Sequence, residues 1–243
     1  MSTRQGSAAK PPSAGRRAFA ALLALPLVLG GCHRKADESP FPAPRRPVSP
    51  IVSASYSNED ARDSVREAQT VMELAAVQPG MYVADIGAGE GYYTVRLAPL
   101  VGKKGRVLAE DIVRETRDNL ARRVQRENLE NVAVKLGTPN DPQLPDRSFD
   151  RIFMIHMYHE IERPSEFLWH LRDDLKPRGR IVVVDADRPT DRHGTPPRLL
   201  VCEFSALGYE LARFERLAED AYFAEFEAKG PRPEPKQIPT CPA

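Results

Sequence analysis

The sequence predicts an α/β domain built on a doubly wound, mostly parallel sheet. Two observations carry this reading: short apolar runs alternate with helix-patterned runs over residues 81–186, and a glycine-rich turn closes the first apolar run. At 243 residues and 41% hydrophobic content, the chain holds one sizeable core plus appendages. A formal net charge of +1 leaves no basic footprint for nucleic acid.

Ser57 and Asp60 offer a helix start, and Val65, Ala68, Val71, Met72 and Ala75 keep helical spacing over 61–76 until Pro79-Gly80 stops it. Strands then alternate with helices: strand 81–86, helix 91–101, strand 105–111, helix 113–128, strand 131–136, strand 149–156, helix 164–175 and strand 179–186. A helix over 197–207 and two apolar stretches, 210–216 and 222–227, complete the domain.

Chemistry concentrates at the end of the first strand. Gly87, Gly89 and Gly91 alternate through Asp85-Ile-Gly-Ala-Gly-Glu-Gly, where glycine permits positive φ and close approach of a ligand to the backbone. A dinucleotide clamp places its third glycine three positions after the second, and Tyr92 stands there instead. Glu110 and Asp111 close the next strand, and a carboxylate accepts two hydrogen bonds from a sugar diol.

The Asp-x-Gly-x-Gly-x-Gly run resembles the first motif of class I S-adenosylmethionine-dependent methyltransferases. Leu144-Pro145, Ser148-Phe149-Asp150 and Leu175-Lys-Pro-Arg-Gly-Arg180 follow in that family's order, so the likeness spans about Val71 to Asp187. It implies a seven-stranded sheet closed by a C-terminal antiparallel hairpin, with S-adenosyl-L-methionine as cofactor. It assigns cofactor binding to Asp85, Gly87, Ala88, Gly89 and Gly91, and the ribose to Asp111 with Glu110 beside it. Two departures stand out. Gly137 is followed by Thr138-Pro139-Asn140-Asp141, leaving the adenine contact to Asn140 or Asp141, and Arg178 occupies the first glycine of the Lys-Pro-Gly-Gly turn.

The fourth strand ends in Met154-Ile-His-Met-Tyr-His-Glu-Ile161, where the family reads its acceptor. His156, Tyr158, His159 and Glu160 are the catalytic candidates, with His159 first as general base or positioning residue and His156 next. Two histidines and a glutamate also suggest a metal, but their spacing departs from the helical His-Glu-x-x-His pattern, so no metal is assigned. The polar run Asp185 to Pro197 after the fifth strand is either an acceptor lid or a solvated connection. The acceptor itself is expected to be a small molecule. The sequence has no thiol trio, basic aromatic groove or Asn/Asp-Pro-Pro-aromatic motif to specify another. Nothing fixes the oligomeric state.

The N-terminus has the layout of an export signal over residues 1–31: Arg16-Arg17 precede an apolar run, Ala18 to Gly30. Leu29-Gly-Gly-Cys32 resembles a bacterial lipoprotein box, which makes Cys32 the lipidated first residue of the mature chain. Arg16-Arg17-Ala18-Phe19 resembles a twin-arginine signal, and His33 favours the outer membrane. The expected location is the periplasmic face of a membrane. Residues 32–57 are proline-rich and read as a disordered tether, 58–229 as the methyltransferase-like domain, and 230–243 as a proline-rich tail. In an oxidising compartment Cys202 and Cys241 either pair or remain a buried and a free thiol. Because S-adenosylmethionine is made in the cytoplasm, the alternative function is a lipid-anchored periplasmic binding module for a nucleoside or other small metabolite.

Overall fold

A computed structural model describes residues 39–51, 59–217 and 220–242. The expected leader, Cys32, and residues 33–38 and 52–57 of the expected tether lie outside these. Among the described residues no helix is long and apolar enough to cross a membrane.

The elements run α1 (Glu59–Ser64), α2 (Glu67–Leu74), β1 (Tyr82–Ile86), α3 (Thr94–Val101), β2 (Arg106–Asp111), α4 (Arg114–Arg126), β3 (Val132–Leu136), β4 (Phe149–Ile155), α5 (Pro164–Asp174), β5 (Leu175–Ala186), α6 (Pro197–Ser205), β6 (Tyr209–Arg216) and β7 (Ala221–Ala228). The single helix expected over 61–76 is broken in two, because Arg66 takes a left-handed φ of 54° between α1 and α2. Strand β5 starts at Leu175 rather than 179, its first residue pairing with Phe149 ahead of a register shift.

One seven-stranded sheet has the order β3-β2-β1-β4-β5-β7-β6. Strands β1 to β5 are parallel, and β7 lies antiparallel to both β5 and β6. The order reverses beside β1, which pairs with β2 on one side and β4 on the other. That switch point is where ligands bind outside the carboxyl ends of the strands.

The central strands bury side chains on both faces, so they read as continuous apolar runs rather than alternating ones. Ile152 and Met154 of β4 join the cluster under α5 and α6, with Leu168, Leu171 and Phe204. Phe153 between them joins the opposite cluster, with Val71 of α2 and Leu97 of α3. Each such side chain contributes about 1.5–3 kcal/mol on full burial, which fixes the carboxyl ends of the strands relative to one another.

The first proline-rich end differs from the disordered tether expected there, and the tail follows one of the two readings open for Cys202 and Cys241. Residues 39–51 form a strap packed on the domain, with Arg46 and Ser49 buried, because Arg46 finds a buried carboxylate in Glu203. The tail is pinned by a Cys202–Cys241 disulfide, by a hydrogen bond from Trp169 Nε1 to Pro233 O, and by Arg232 lying 3.6 Å over the Trp169 ring.

Candidate functional site

A cavity of about 580 Å³ opens at the switch point. That volume lies within the range of about 300–1,000 Å³ common for small-molecule sites. Its walls come from the strap (Val48 to Ile51), the β1 loop, the ends of β2 and β4, and the residues after β3.

The β1 loop forms the first side. Asp85 is almost wholly buried and accepts a 2.6 Å hydrogen bond from Thr94 Oγ1 at the start of α3. Burial raises its carboxyl to about 6, against the hydrogen bonds from Thr94. This pairing locks the end of β1 to the helix that follows, so Asp85 shapes the turn. At Gly89 a side chain would meet only open space, and its N–H goes to Asp111 Oδ2 at 3.0 Å. Gly91 has φ +89° and a Cβ there would lie 2.4 Å from Leu120 Cδ1, so α4 closes down onto a position only glycine fills.

The end of β2 supplies two carboxylates to the cavity. Asp111 is held by backbone donors, Val113 N–H to Oδ1 at 2.8 Å and Gly89 N–H to Oδ2 at 3.0 Å. Burial nonetheless raises its carboxyl above the ordinary value. Glu110 is more extreme. Burial pushes it up to about 8, and its Oε1 has no hydrogen-bond partner among the described residues. Gly137 makes room for it, since a Cβ there would fall 1.2 Å from that oxygen. The glycine after β3 thus answers to a neighbouring side chain, a reason invisible in one sequence.

Neither candidate for the adenine contact reaches the cavity. Asp141 Oδ1 accepts from Gln143 N–H at 2.7 Å, its carboxylate turned into its own loop, and Asn140 is also outside the lining. Thr138 and Pro139 line the wall in their place, because the chain turns away two residues earlier than the motif suggests.

The opposite side is built after β4. His156, with a left-handed φ of 54°, turns its ring into the cavity, and Nε2 lies 3.4 Å from Glu67 Oε2. Glu67 also takes Arg62 Nη2 at 2.6 Å and Tyr93 OH at 3.0 Å. Burial raises the Glu67 carboxyl, but His156 and Arg62 together outweigh it and hold it at about 2. Arg62 lies 3.9 Å over the Tyr92 ring and covers the cavity from the α1 side. Glu160 lines the wall as well.

Two catalytic candidates are not brought to this surface. Tyr158 is a core residue, fully buried, whose hydroxyl donates to Glu203 Oε2 at 2.7 Å. Burial raises the phenol well above its usual value, so it stays protonated. His159 is also buried and lies behind the wall, its Nδ1 at 2.9 Å from Asp185 Oδ1. Both point inward because a tight 3-10 turn over Tyr158–Glu160 reverses the chain directly after β4.

The strap holds this turn in place. The Arg46 guanidinium pairs with Glu203 at 3.0 Å and donates to the carbonyls of Tyr158, His159 and Ile161 at 3.3, 3.4 and 3.2 Å. Ser49 N–H donates to His159 O at 3.2 Å. Sequence reading missed Arg46, Ser49, Arg62, Glu67 and Thr138. Their only signal is polarity near a site whose second wall comes from distant segments.

The sequence pattern of the family described as "Methyltransferase domain" matches residues 83–179. A crystal structure of a SAM-dependent methyltransferase from Aquifex aeolicus superposes with a TM-score of 0.65 at 26% identity, covering 70% of this chain and 93% of that one. Protein-L-isoaspartate O-methyltransferase 2 of Archaeoglobus fulgidus is 27% identical over 149 residues, which are 56% of this chain and 65% of that protein. The ubiquinone/menaquinone biosynthesis C-methyltransferase of Teredinibacter turnerae is 32% identical over 122 residues, 49% of this chain and 48% of that protein. The chain therefore spans about half to two thirds of the length of these curated relatives. The fold is that of class I methyltransferases, and the matches imply S-adenosyl-L-methionine as the cofactor. The site fits it: Gly89, with open space where a side chain would stand, Glu110, whose buried Oε1 has no hydrogen-bond partner among the described residues, and Asp111 beside it line one cavity.

Proposed function

We propose that this chain transfers a methyl group from S-adenosylmethionine to a small-molecule acceptor held on the strap side of the cavity. One observation carries the reading: the glycine loop, the β2 carboxylates and His156, from three separate strand ends, line the same cavity. When bound, the cofactor supplies a methyl group on a sulfonium, open to in-line displacement by an acceptor lone pair as the carbon–sulfur bond breaks.

The residues bind, orient and exclude water. Gly87 to Gly91 receive the cofactor along the backbone, and Asp111 with Glu110 receives the sugar hydroxyls. Thr138 and Pro139 wall the base. His156 is the group assigned to take a proton from the acceptor, in preference to the buried His159, with Glu67 fixing its ring. Glu160 contributes to acceptor placement. The strap and the Arg62–Tyr92 stack shield the reacting atoms from water.

Calorimetric titration of the purified chain with S-adenosylmethionine and with its demethylated product tests this directly. The expected result is micromolar binding of both, lost in Asp111→Ala. Failure of both to bind would overturn the reading. A binding role without catalysis has no observation of its own in its favour.

Export and lipidation at Cys32 belong to the same proposal, supported by Leu29-Gly-Gly-Cys32 and by the Cys202–Cys241 disulfide, a bond suited to an oxidising compartment. Mass spectrometry of the membrane-fraction protein should find a mature chain starting at a lipid-modified Cys32. An intact Met1 would refute it.

A further inference from the structure

His159 presents a problem that the methyl-transfer reading does not use. Its ring is 2% exposed, and Asp185 receives Nδ1 at 2.9 and 3.2 Å. Asp185 is fully buried and fixed in turn by Thr195 Oγ1 at 2.8 Å and Ala186 N–H at 2.9 Å. A neutral imidazole that donates Nδ1–H to a carboxylate so held has its lone pair on Nε2. That Nε2 is buried with no hydrogen-bond partner among the described residues. Leaving a buried nitrogen without a partner costs stability, so the fold holds this atom in place at some expense.

The His159 ring belongs to a cluster. Ligand atoms of His159, Glu160 and His193 all lie within 4.8 Å of one another. His193 stands after the 3-10 turn Thr190–Arg192, with a left-handed φ of 54°, and its ring meets His159 edge to face at 5.5 Å. Ser49 joins the two loops: its N–H donates to His159 O, and its Oγ accepts from His193 N–H at 3.1 Å. Two loops after different strands and one strap residue therefore converge on one point.

We propose that His159 Nε2, Glu160 and His193 form a binding site for a divalent d-block cation, of which zinc is the type. Two imidazoles and a carboxylate are a ligand set that zinc takes at about 2.0–2.2 Å, keeping a fourth position open. The His159–Asp185 hydrogen bond is the outer-shell support that such imidazoles have. Tetrahedral bonds of that length bring ligand atoms to about 3.4 Å apart, so binding draws the three side chains inward. Glu160 also lines the main cavity, which sets the cation at the acceptor end. The site stands on its own residues and does not depend on the identity of the reaction.

The test uses the untagged full chain, stripped with chelator and titrated with zinc chloride in a calorimeter. One equivalent with micromolar or tighter affinity is expected, and His193→Ala and Glu160→Gln should each weaken it at least tenfold. His170→Ala, a histidine elsewhere on the surface, should leave affinity unchanged. Zinc should raise the melting temperature of the parent chain but not of His193→Ala. Cobalt(II) should give a visible absorption band that Glu160→Gln removes. Less than a tenth of an equivalent bound, or undiminished binding by His193→Ala, overturns the site. Loss of zinc binding with S-adenosylmethionine binding intact, or the reverse, separates this site from the methyl-transfer reading.

Discussion

The two sides of the cavity are built by opposite strategies. The β1–β2 side is local: Asp85, Gly89, Gly91 and Asp111 fall within 27 residues of sequence, and short-range hydrogen bonds fix it, Gly89 N–H to Asp111 Oδ2 and Thr94 Oγ1 to Asp85 Oδ2. The β4–β5 side is assembled over long range, with Arg46 paired to Glu203 157 positions away and Ser49 bridging to residues past 190. Local construction fixes one ligand's backbone contacts, whereas long-range construction leaves the other wall free to change with its acceptor.

The sharpest way to break this contrast is Arg46→Ala. It strands the Glu203 carboxylate in the interior, and removing one partner of a buried ion pair costs about 3–5 kcal/mol. The melting temperature should fall steeply while affinity for S-adenosylmethionine at low temperature stays within about threefold. A parallel loss of cofactor affinity would show that the two sides do not act separately. Next in size is Cys241→Ser. Opening a crosslink over 39 residues should cost about 2–4 kcal/mol in thermal or urea unfolding. The effect should pass to the strap side, because Cys202 adjoins Glu203 on α6.

Asp111→Asn sharpens the contrast from the other side. It weakens hydrogen bonds to a charged acceptor, each worth about 1.5–3 kcal/mol. Cofactor affinity should drop about tenfold or more in calorimetry, with a fall in melting temperature smaller than that of Arg46→Ala, from the weakened Gly89 and Val113 N–H bonds.

A pH experiment singles out Glu110. Its folded value, about 8, lies above the ordinary 4.5, so between these the native chain holds a proton that the unfolded chain releases. Its contribution to stability is therefore complete below about pH 4.5 and lost as pH rises through 8, at about 1.4 kcal/mol per unit of displacement. Melting temperature should decline from pH 5 to pH 8, and Glu110→Gln should flatten that decline. Asp174, also raised to about 8 by burial, leaves a residual slope. An unchanged slope would mean that Glu110 is ionised in the empty cavity. The smallest expected effect is that of His156→Ala on cofactor affinity, within about twofold, with methyl-transfer turnover falling instead.

What the sequence disclosed follows the same division. Strand runs bounded by Gly and Pro, and a glycine loop joined to spaced acids, are short-range patterns, so the sheet was readable, and with it the placing of Asp85, Gly89 and Asp111 beside one cavity. The break at Arg66 was not, since helical periodicity runs through it and only φ reveals the turn. Asn140 and Asp141 lie outside the cavity lining, because a motif gives order along the chain and not where a loop turns. Tyr158 and His159 are buried, because a 3-10 turn and a buried carboxylate decide which residues of Met-Ile-His-Met-Tyr-His-Glu-Ile face inward. A proline-rich run also hides its anchor, for Arg46 is recognisable only once Glu203 is opposite.

The strap changes where this molecule can be cut. A shortened protein beginning at residue 58 keeps every strand and helix of the described residues, yet it loses Val48 to Ile51 from the cavity rim and the guanidinium that ties down the turn after β4. Such a fragment would offer its acceptor an open trench, and any selectivity measured on it would belong to the trench.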